Sequence, residues 1–520
     1  MNKKIKILST ILSLSIIGTT LISAAFCSKA NDLNLNDNQN TNTESLVNNT
    51  LITDENTSSA FSMNDLKNKL KTTRLVELKS VDSLREYINE YNSSNAIPTS
   101  YDNSTSEYFP PIGDQGELGS CNSWAAVYYQ MTFSVNKALD RPGNISANIM
   151  SPSFMYTLTN KGVNHGSNYI DVLKILSDIG SVPATTVPIV KVENDSNVRT
   201  VYANNKDIYM EASKYRVKEY YTIGTANNSN PTITNYPEED INSIKKALSM
   251  GQVLTMTTHP NRWSQHKLRE RLNPNNKNEY IITKVSGTDT GSHRMAIVGY
   301  DDNICFDING NGTIEDAEKG AFKIANSWGK SWGNNGFVWM SYDAVRINSL
   351  ADASEINNKE RTTGLFNIVG YTVDVDTTDD PCYLMLDIET NDLQSVELTI
   401  YATDENDNQT TYTPAPFSNG MNYGSVGPYP FTTKEGGNKG QIYVDLANLD
   451  PTLTKDNINK YNWSFRFKDS STEHYVFIND IKFYFKDTDT YSDSLYNSKI
   501  IIYNTERHIN ITNNLWNLIF

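Results

Sequence analysis

The chain has 520 residues, too many for a single hydrophobic core and enough for two or three domains. Apolar residues make up 38% and charged residues 20%, which excludes a chain disordered throughout. A formal net charge of −15 argues against partners that are bound through positive charge, namely nucleic acid and anionic membrane surfaces.

Residues 1–30 open with lysines, continue with an apolar stretch from Ile7 to Phe26 and end in the small-x-small triplet Ser28-Lys29-Ala30. This order is that of a secretory signal peptide and predicts an extracellular protein, free or associated with the cell surface. An uncleaved membrane anchor is the alternative reading of the same stretch. Loss of Cys27 with the leader leaves Cys121, Cys305 and Cys382, an odd number, so at least one thiol is unpaired.

Residues 31–97 form a pro-segment or linker. The first half is rich in Asn, Asp, Thr and Ser and lacks the apolar surface to order itself. Val81, Leu84, Ile88 and Tyr91 then recur at three- and four-residue steps, which predicts an amphipathic helix. Residues 98–352 mix patterns. "SWAAVYYQMTFSVNKAL", "NYIDVLKILSDIG" and "EEDINSIKKALSMGQ" read as helices, and "VLTMTT", "HRMAIVGY" and "AFKIANSW" read as strands. A helical first half and a strand-rich second half predict an α+β domain. Residues 365–520 alternate with period two, for example at Val396, Leu398 and Ile400 and at Trp463, Phe465 and Phe467. Asn-, Asp- and Gly-rich turns separate the runs, so this part is expected to be an all-β sandwich.

Chemistry concentrates in three segments. Cys121 stands at the predicted start of a helix, after the flexible Gly119-Ser120. A thiol attacks as its thiolate, and a helix N-terminus favours that charge. His293 opens an apolar strand, where its ring would lie at the edge of a cleft. The other five histidines, His259 among them, sit in polar loops or strand ends and read as solvated. In "NSWGKSWGNNGFVWM", Asn326 ends a strand; its amide oxygen could accept a hydrogen bond from the imidazole, with Trp328 covering that bond.

The segments "GDQGELGSCNSWA", "GSHRMAIVGYD" and "AFKIANSWGKSWGNNGFVWM" resemble the active-site blocks of papain-family cysteine peptidases, most closely the bacterial secreted members. The resemblance runs from about Pro98 to Tyr342, with the blocks in the family's order. It implies a two-lobed peptidase, one lobe helical and one barrel-like, hydrolysing peptide bonds of protein or peptide substrates. Cys121 would be the nucleophile and His293 the general base and later acid. Asn326 would orient the imidazole, and Gln115 would donate to the oxyanion beside the Cys121 backbone N–H. Gly166, Ser167, Arg294 and Trp328 would border the bound substrate. An arginine after the histidine would either select an acidic side chain or point into solvent, the preferred reading. The pro-segment would cover the cleft as an inhibitor, making the chain a zymogen. Two departures stand out: Asn122 follows the nucleophile where the family carries an aromatic residue, and Leu118 replaces a disulfide cysteine.

Between His293 and Asn326 lies "DINGNGTIEDAE". Asp307, Asn309, Asn311, Thr313, Glu315 and Glu318 fall at positions 1, 3, 5, 7, 9 and 12 of an EF-hand-like loop, with Gly312 at the turn. All-oxygen ligands predict Ca2+, structural rather than catalytic; a polar hairpin would use the same residue types. Two other functions remain beside the peptidase: a non-catalytic surface adhesin that keeps the fold, and a cell-wall amidase with a Cys–His site. The C-terminal region could take a carbohydrate, protein or cell-surface ligand or merely support the peptidase; Tyr423 and Tyr429 could line a groove or sit in ordinary loop packing, the preferred reading.

Overall fold

The computed structural model describes residues 77–79, 96–160, 162–194, 200–223, 238–287, 291–345, 366–375, 382–421, 438–496 and 498–511. The leader at 1–30, the helical spacing from Val81 to Tyr91, and Tyr423 and Tyr429 lie outside them.

Helix α1 is one continuous run built of Cys121–Ser123, the π-helical Trp124–Met131 and Thr132–Ala138. Its widened middle is wholly buried, and the aromatic rings of Trp124, Tyr128, Tyr129 and Phe133 pack with Phe109. Helix α2, Pro152–Thr159, begins on Ser151, whose hydroxyl accepts the Phe154 N–H. Helix α3, Tyr169–Asp178, is capped by the Asn168 side chain and closes at Gly180. That glycine has φ +102, and a Cβ there would lie 2.1 Å from the Ala212 carbonyl oxygen, so only glycine fits. Lys206–Ala212 forms α4. Helix α5, Glu238–Ser249, places three acidic residues in its first turn, where the helix dipole favours them.

A ten-stranded sheet receives these helices. Its strands are β1 (Glu77–Lys79), β2 (Ser100–Asp102), β3 (Arg216–Ile223), β4 (Leu254–Thr258), β5 (Trp263–Lys267), β6 (Tyr280–Val285), β7 (His293–Cys305), β8 (Lys319–Ala325), β9 (Phe337–Ser341) and β10 (Phe366–Asp374). The order is β1-β3-β10-β4-β7-β8-β9-β6-β5, with β2 on β7. Among the described residues, nine further strands make two antiparallel sheets. In one, β14 (Lys439–Asp445), β11 (Cys382–Thr390), β16 (Val476–Phe485) and β17 (Thr490–Tyr491) lie in that order, with β18 (Ile500–Ile502) also on β16. In the other the order is β13 (Gln409–Tyr412), β12 (Val396–Thr403), β15 (Asn462–Asp469), β19 (Glu506–Ile511). Trp463 and Phe465 of β15 meet Phe483 of β16, so the two sheets share a core.

The boundary expected at residue 365 is corrected by β10. This strand pairs antiparallel with both β3 and β4 and therefore belongs to the sheet of the first domain. The Gln130 amide also donates to the Val369 carbonyl at 3.3 Å, and the Tyr371 hydroxyl donates to the Ala126 carbonyl. Period-two alternation marks a strand but does not say which sheet receives it. The C-terminal sheets are fastened to the same domain. Lys174 of α3 donates to the Thr413 carbonyl at 2.9 Å, Asp178 accepts the Ala415 N–H at 3.0 Å, and Arg216 of β3 pairs with Asp445 in a buried contact. Among the described residues no helix is long and apolar enough to cross a membrane.

Candidate active site

Cys121 is the first residue of α1 and is half-buried, with the Trp124 N–H closing the first turn onto the Ser120 carbonyl at 3.0 Å. The sulfur therefore sits where unpaired helix N–H groups favour a negative charge. The tip of α1 packs against β7, whose first residue is His293. The ring of His293 is 1% exposed, more enclosed than the cleft edge expected for it. Trp328 stacks on it with ring centroids 4.6 Å apart and planes 27° apart.

The tautomer follows from the hydrogen bonds. The backbone N–H of Ser327 donates to Oδ1 of Asn326 at 2.8 Å, so that atom is the amide oxygen. His293 Nε2 lies 2.8 Å from the same oxygen and must carry the proton it shares. The neutral ring then presents Nδ1 as its basic nitrogen. Asn326 is itself fixed at its backbone, where its carbonyl accepts the Tyr129 hydroxyl at 2.6 Å and its N–H donates to Gly336 at 2.9 Å.

Gln115 is 2% exposed. Its Oε1 accepts the Ser327 hydroxyl at 2.7 Å, its Nε2 donates to the Leu118 carbonyl at 2.8 Å, and its backbone N–H donates to the Ser327 carbonyl at 2.8 Å. Ser327 thus ties the glutamine block to the asparagine block, a role that the sequence reading passed over although the residue lies inside the quoted motif. Gly166 and Ser167 lie against the loop that delivers the thiol. A Cβ on Gly119 would come 2.9 Å from the Gly166 nitrogen, and the Asn122 amide donates to the Ser167 carbonyl at 2.5 Å. Leu118 is buried against Tyr156 and backed by Val190, so apolar packing stands at the position of the absent cysteine. No disulfide joins Cys121, Cys305 and Cys382 to one another.

Two expectations are corrected. Arg294 does not reach solvent: it is 2% exposed, its guanidinium carbon lies 3.3 Å from the Tyr169 ring centroid, and it donates to Thr255 Oγ1 at 2.9 Å. Its second contact, to the Asn367 carbonyl at 3.3 Å, comes from β10. A sequence neighbour on a buried strand faces the opposite side of the sheet from His293, and here that side is covered. His259, read as a surface group, is 5% exposed and contacts the Gly291 carbonyl through Nδ1 at 3.1 Å.

The family model for papain family cysteine protease matches residues 97–355. The chain carries a papain family cysteine protease domain and is a hydrolase of that class. Among solved structures, the chain is similar to xylellain, a cysteine protease from Xylella fastidiosa, at 17% identity and TM-score 0.35, over 58% of this chain and 95% of that one. It is similar to the bromelain protease from Ananas comosus at 16% identity and TM-score 0.31, over 53% and 99% of the two chains. It is also similar to procathepsin B from Trypanosoma congolense at 14% identity and TM-score 0.36, over 58% and 84%. The search of curated proteins found no match.

The protease domain also carries the loop Asp307–Glu318, at the far end of the β7–β8 hairpin from His293. Glu318 is 2% exposed and accepts three backbone N–H groups, those of Ile308 at 2.7 Å, Asn309 at 3.2 Å and Glu315 at 3.1 Å. The Asn311 amide donates to Glu315 at 2.6 Å and the Asn309 amide at 3.0 Å; Asn311 foremost, then Glu318, Asn309 and Thr313, hold its carboxyl below its ordinary pKa. Oδ2 of Asp307 accepts the Gly312 N–H at 3.0 Å, whereas its Oδ1 is buried with no hydrogen-bond partner. An orphaned carboxylate oxygen amid an all-oxygen donor set fits a hard divalent cation. Among the described residues, however, no three His, Cys, Asp or Glu side chains converge. Any cation here would depend on amide and backbone oxygens as well.

Proposed function

We propose that the chain is a secreted cysteine endopeptidase, synthesised as a zymogen, that cleaves peptide bonds through a thioester acyl-enzyme. The observation that carries this reading is the hydrogen bond from His293 Nε2 to Asn326 Oδ1, with the amide orientation fixed by Ser327. It leaves Nδ1 to take the Cys121 proton. The thiolate then attacks the substrate carbonyl, and the imidazolium returns its proton to the leaving amine. Water attacks the thioester in the second half-reaction with His293 again as base. Gln115 and the Cys121 N–H donate to the carbonyl oxygen as it gains charge, the step in which preorganised donors matter most. Gly166 and Ser167 border the substrate backbone beside Asn122.

Secretion rests on the lysine-led apolar leader of residues 1–30. Zymogen synthesis draws support from β1, which lies in the expected pro-segment and pairs parallel with β3 at the edge of the protease sheet. The C-terminal sheets form a β-sandwich that takes a carbohydrate or cell-surface ligand; the exposed Tyr475 ring, stacked on Tyr503 at 4.5 Å and 22°, supports an aromatic contact surface there. The loop Asp307–Glu318 binds Ca2+ through the six residues of its motif, supported by the orphaned Asp307 oxygen.

The decisive experiment incubates mature protein and its Cys121→Ala variant with a peptide library and with a thiol-reactive peptide epoxide. Cleavage and covalent labelling at Cys121 are expected for the first and neither for the second; a parent protein that shows neither would favour a binding protein. For the loop, melting in millimolar Ca2+ and in chelator should differ, and coincident curves would remove the cation.

A further inference from the structure

The β4–β7 ladder runs out at the base. Its terminal register pair is Thr258 with His293, and the chain on the β4 side then turns through His259 into the Pro260–Arg262 turn. A restraint on the segment that enters β7 bears directly on His293, because the position of a strand-end residue follows the backbone before it. His259 supplies that restraint with its side chain. It is nearly fully buried, and Nδ1 lies 3.1 Å from the carbonyl oxygen of Gly291, two residues before His293. A carbonyl can only accept, so Nδ1 carries the proton in this contact. The turn that holds His259 is braced in its own right. The Arg262 N–H donates to the His259 carbonyl at 3.0 Å, and the Trp263 indole donates to Thr258 Oγ1 at 2.9 Å.

We propose that His259 is a positioning residue: its Nδ1–H bond to Gly291 forms the next rung beyond the β4–β7 ladder and holds the backbone that delivers His293 to Asn326. The inference rests on the peptidase reading above. It assigns a role to a second buried histidine that contacts neither thiol nor substrate in the mechanism.

The geometry makes a discriminating set of variants available. An asparagine amide places an N–H near the position of Nδ1, a glutamine amide reaches instead towards that of Nε2, and alanine has neither. His259→Ala and His259→Gln should lower kcat per titrated thiol by about ten- to 100-fold, the cost of a misplacement on the order of 1 Å, with KM within about twofold. His259→Asn should retain kcat close to the parent value. Thermal melting of all three, and thiol titration with the peptide epoxide, separate misfolding from misplacement. Any other ranking overturns the proposal: three variants as active as the parent, His259→Asn as impaired as the other two, or losses that follow the melting temperature. Failure of the peptidase reading looks different, since Cys121→Ala would then match the parent in the same assay.

Discussion

His293 and the loop Asp307–Glu318 stand at opposite ends of one hairpin. β7 spans 13 residues, so the two ends are about 40 Å apart along the strand. At one end the His–Asn pair is tied in by residues distant in sequence: His293 meets Asn326 across 33 positions, Tyr129 reaches Asn326 across 197, and the neighbouring Ser327 reaches Gln115 across 212. At the other end the bonds around Glu318 and Glu315 join residues no more than ten positions apart. The protease domain therefore builds its chemistry from long-range packing and closes its hairpin tip with local bonds. A tip of that kind can lengthen at little entropic cost, because loop closure grows only slowly with length. The chemical end has no such freedom. The Ca2+ proposed for the tip would act on stability and not on His293 directly.

The comparison can be broken from either end. The largest effect is expected from ending the chain at residue 355. This removes β10 from between β3 and β4, exposes two sheet edges and takes away the Asn367 contact to Arg294, the residue after His293. No soluble folded protease is expected; a monomeric, active product of normal circular dichroism would show that β10 is dispensable. Next, His293→Ala should lower kcat/KM by about 100- to 10,000-fold while leaving the melting temperature nearly unchanged. A parallel fall in stability would mean that the chemical end also holds the hairpin together.

At the tip the reverse pattern is expected. Glu318→Gln turns an amide N–H towards the backbone donors that the carboxylate serves, at a cost of ~1–3 kcal/mol. That is roughly 2–10 °C of melting temperature for a domain of this size, with kcat within about twofold. A large loss of kcat in the folded variant would couple the two ends. The smallest effect concerns the seam between protease domain and C-terminal sheets. Burial raises the Asp178 carboxyl above its ordinary pKa, against the opposing pull of Lys174 and of the Ala415 N–H. Its protonated form is thus favoured by folding. This contribution is full below the unfolded-state value near 4 and fades as pH rises through the raised folded-state value. Asp178→Asn should flatten the dependence of melting temperature on pH over that window, and an unchanged slope would place the titrating group elsewhere.

Much of the site could be read in the chain because its chemistry uses unusual residues in fixed local company. "GSCNSW" announced a thiol at a helix start, and "NSWGKSWG" announced an amide beside indoles. The limits of α3 were legible too, since the run NYIDVLKILSDIG opens on Asn168 and closes on Gly180, whereas α2, capped by Ser151, was not read as a helix. Arg294 and His259 were misread for a common reason. Polar side chains are assigned to the surface by default, and only packing reveals the Tyr169 face and the Gly291 carbonyl that satisfy them. β10 was assigned to the wrong sheet because alternation along a strand carries no record of its neighbours.

By itself the sequence determined the identities of the thiol, imidazole and carboxamide, the helix that begins at Cys121 and the alternating strands of the C-terminal region, all of which depend on contacts within a few residues. Tertiary structure alone decided the tautomer of His293, the burial of Arg294 and His259, and the membership of β10 in the protease sheet. Those features depend on which distant groups meet in a low-dielectric interior, where an unpaired polar atom is costly and each partner dictates what its neighbour must donate or accept.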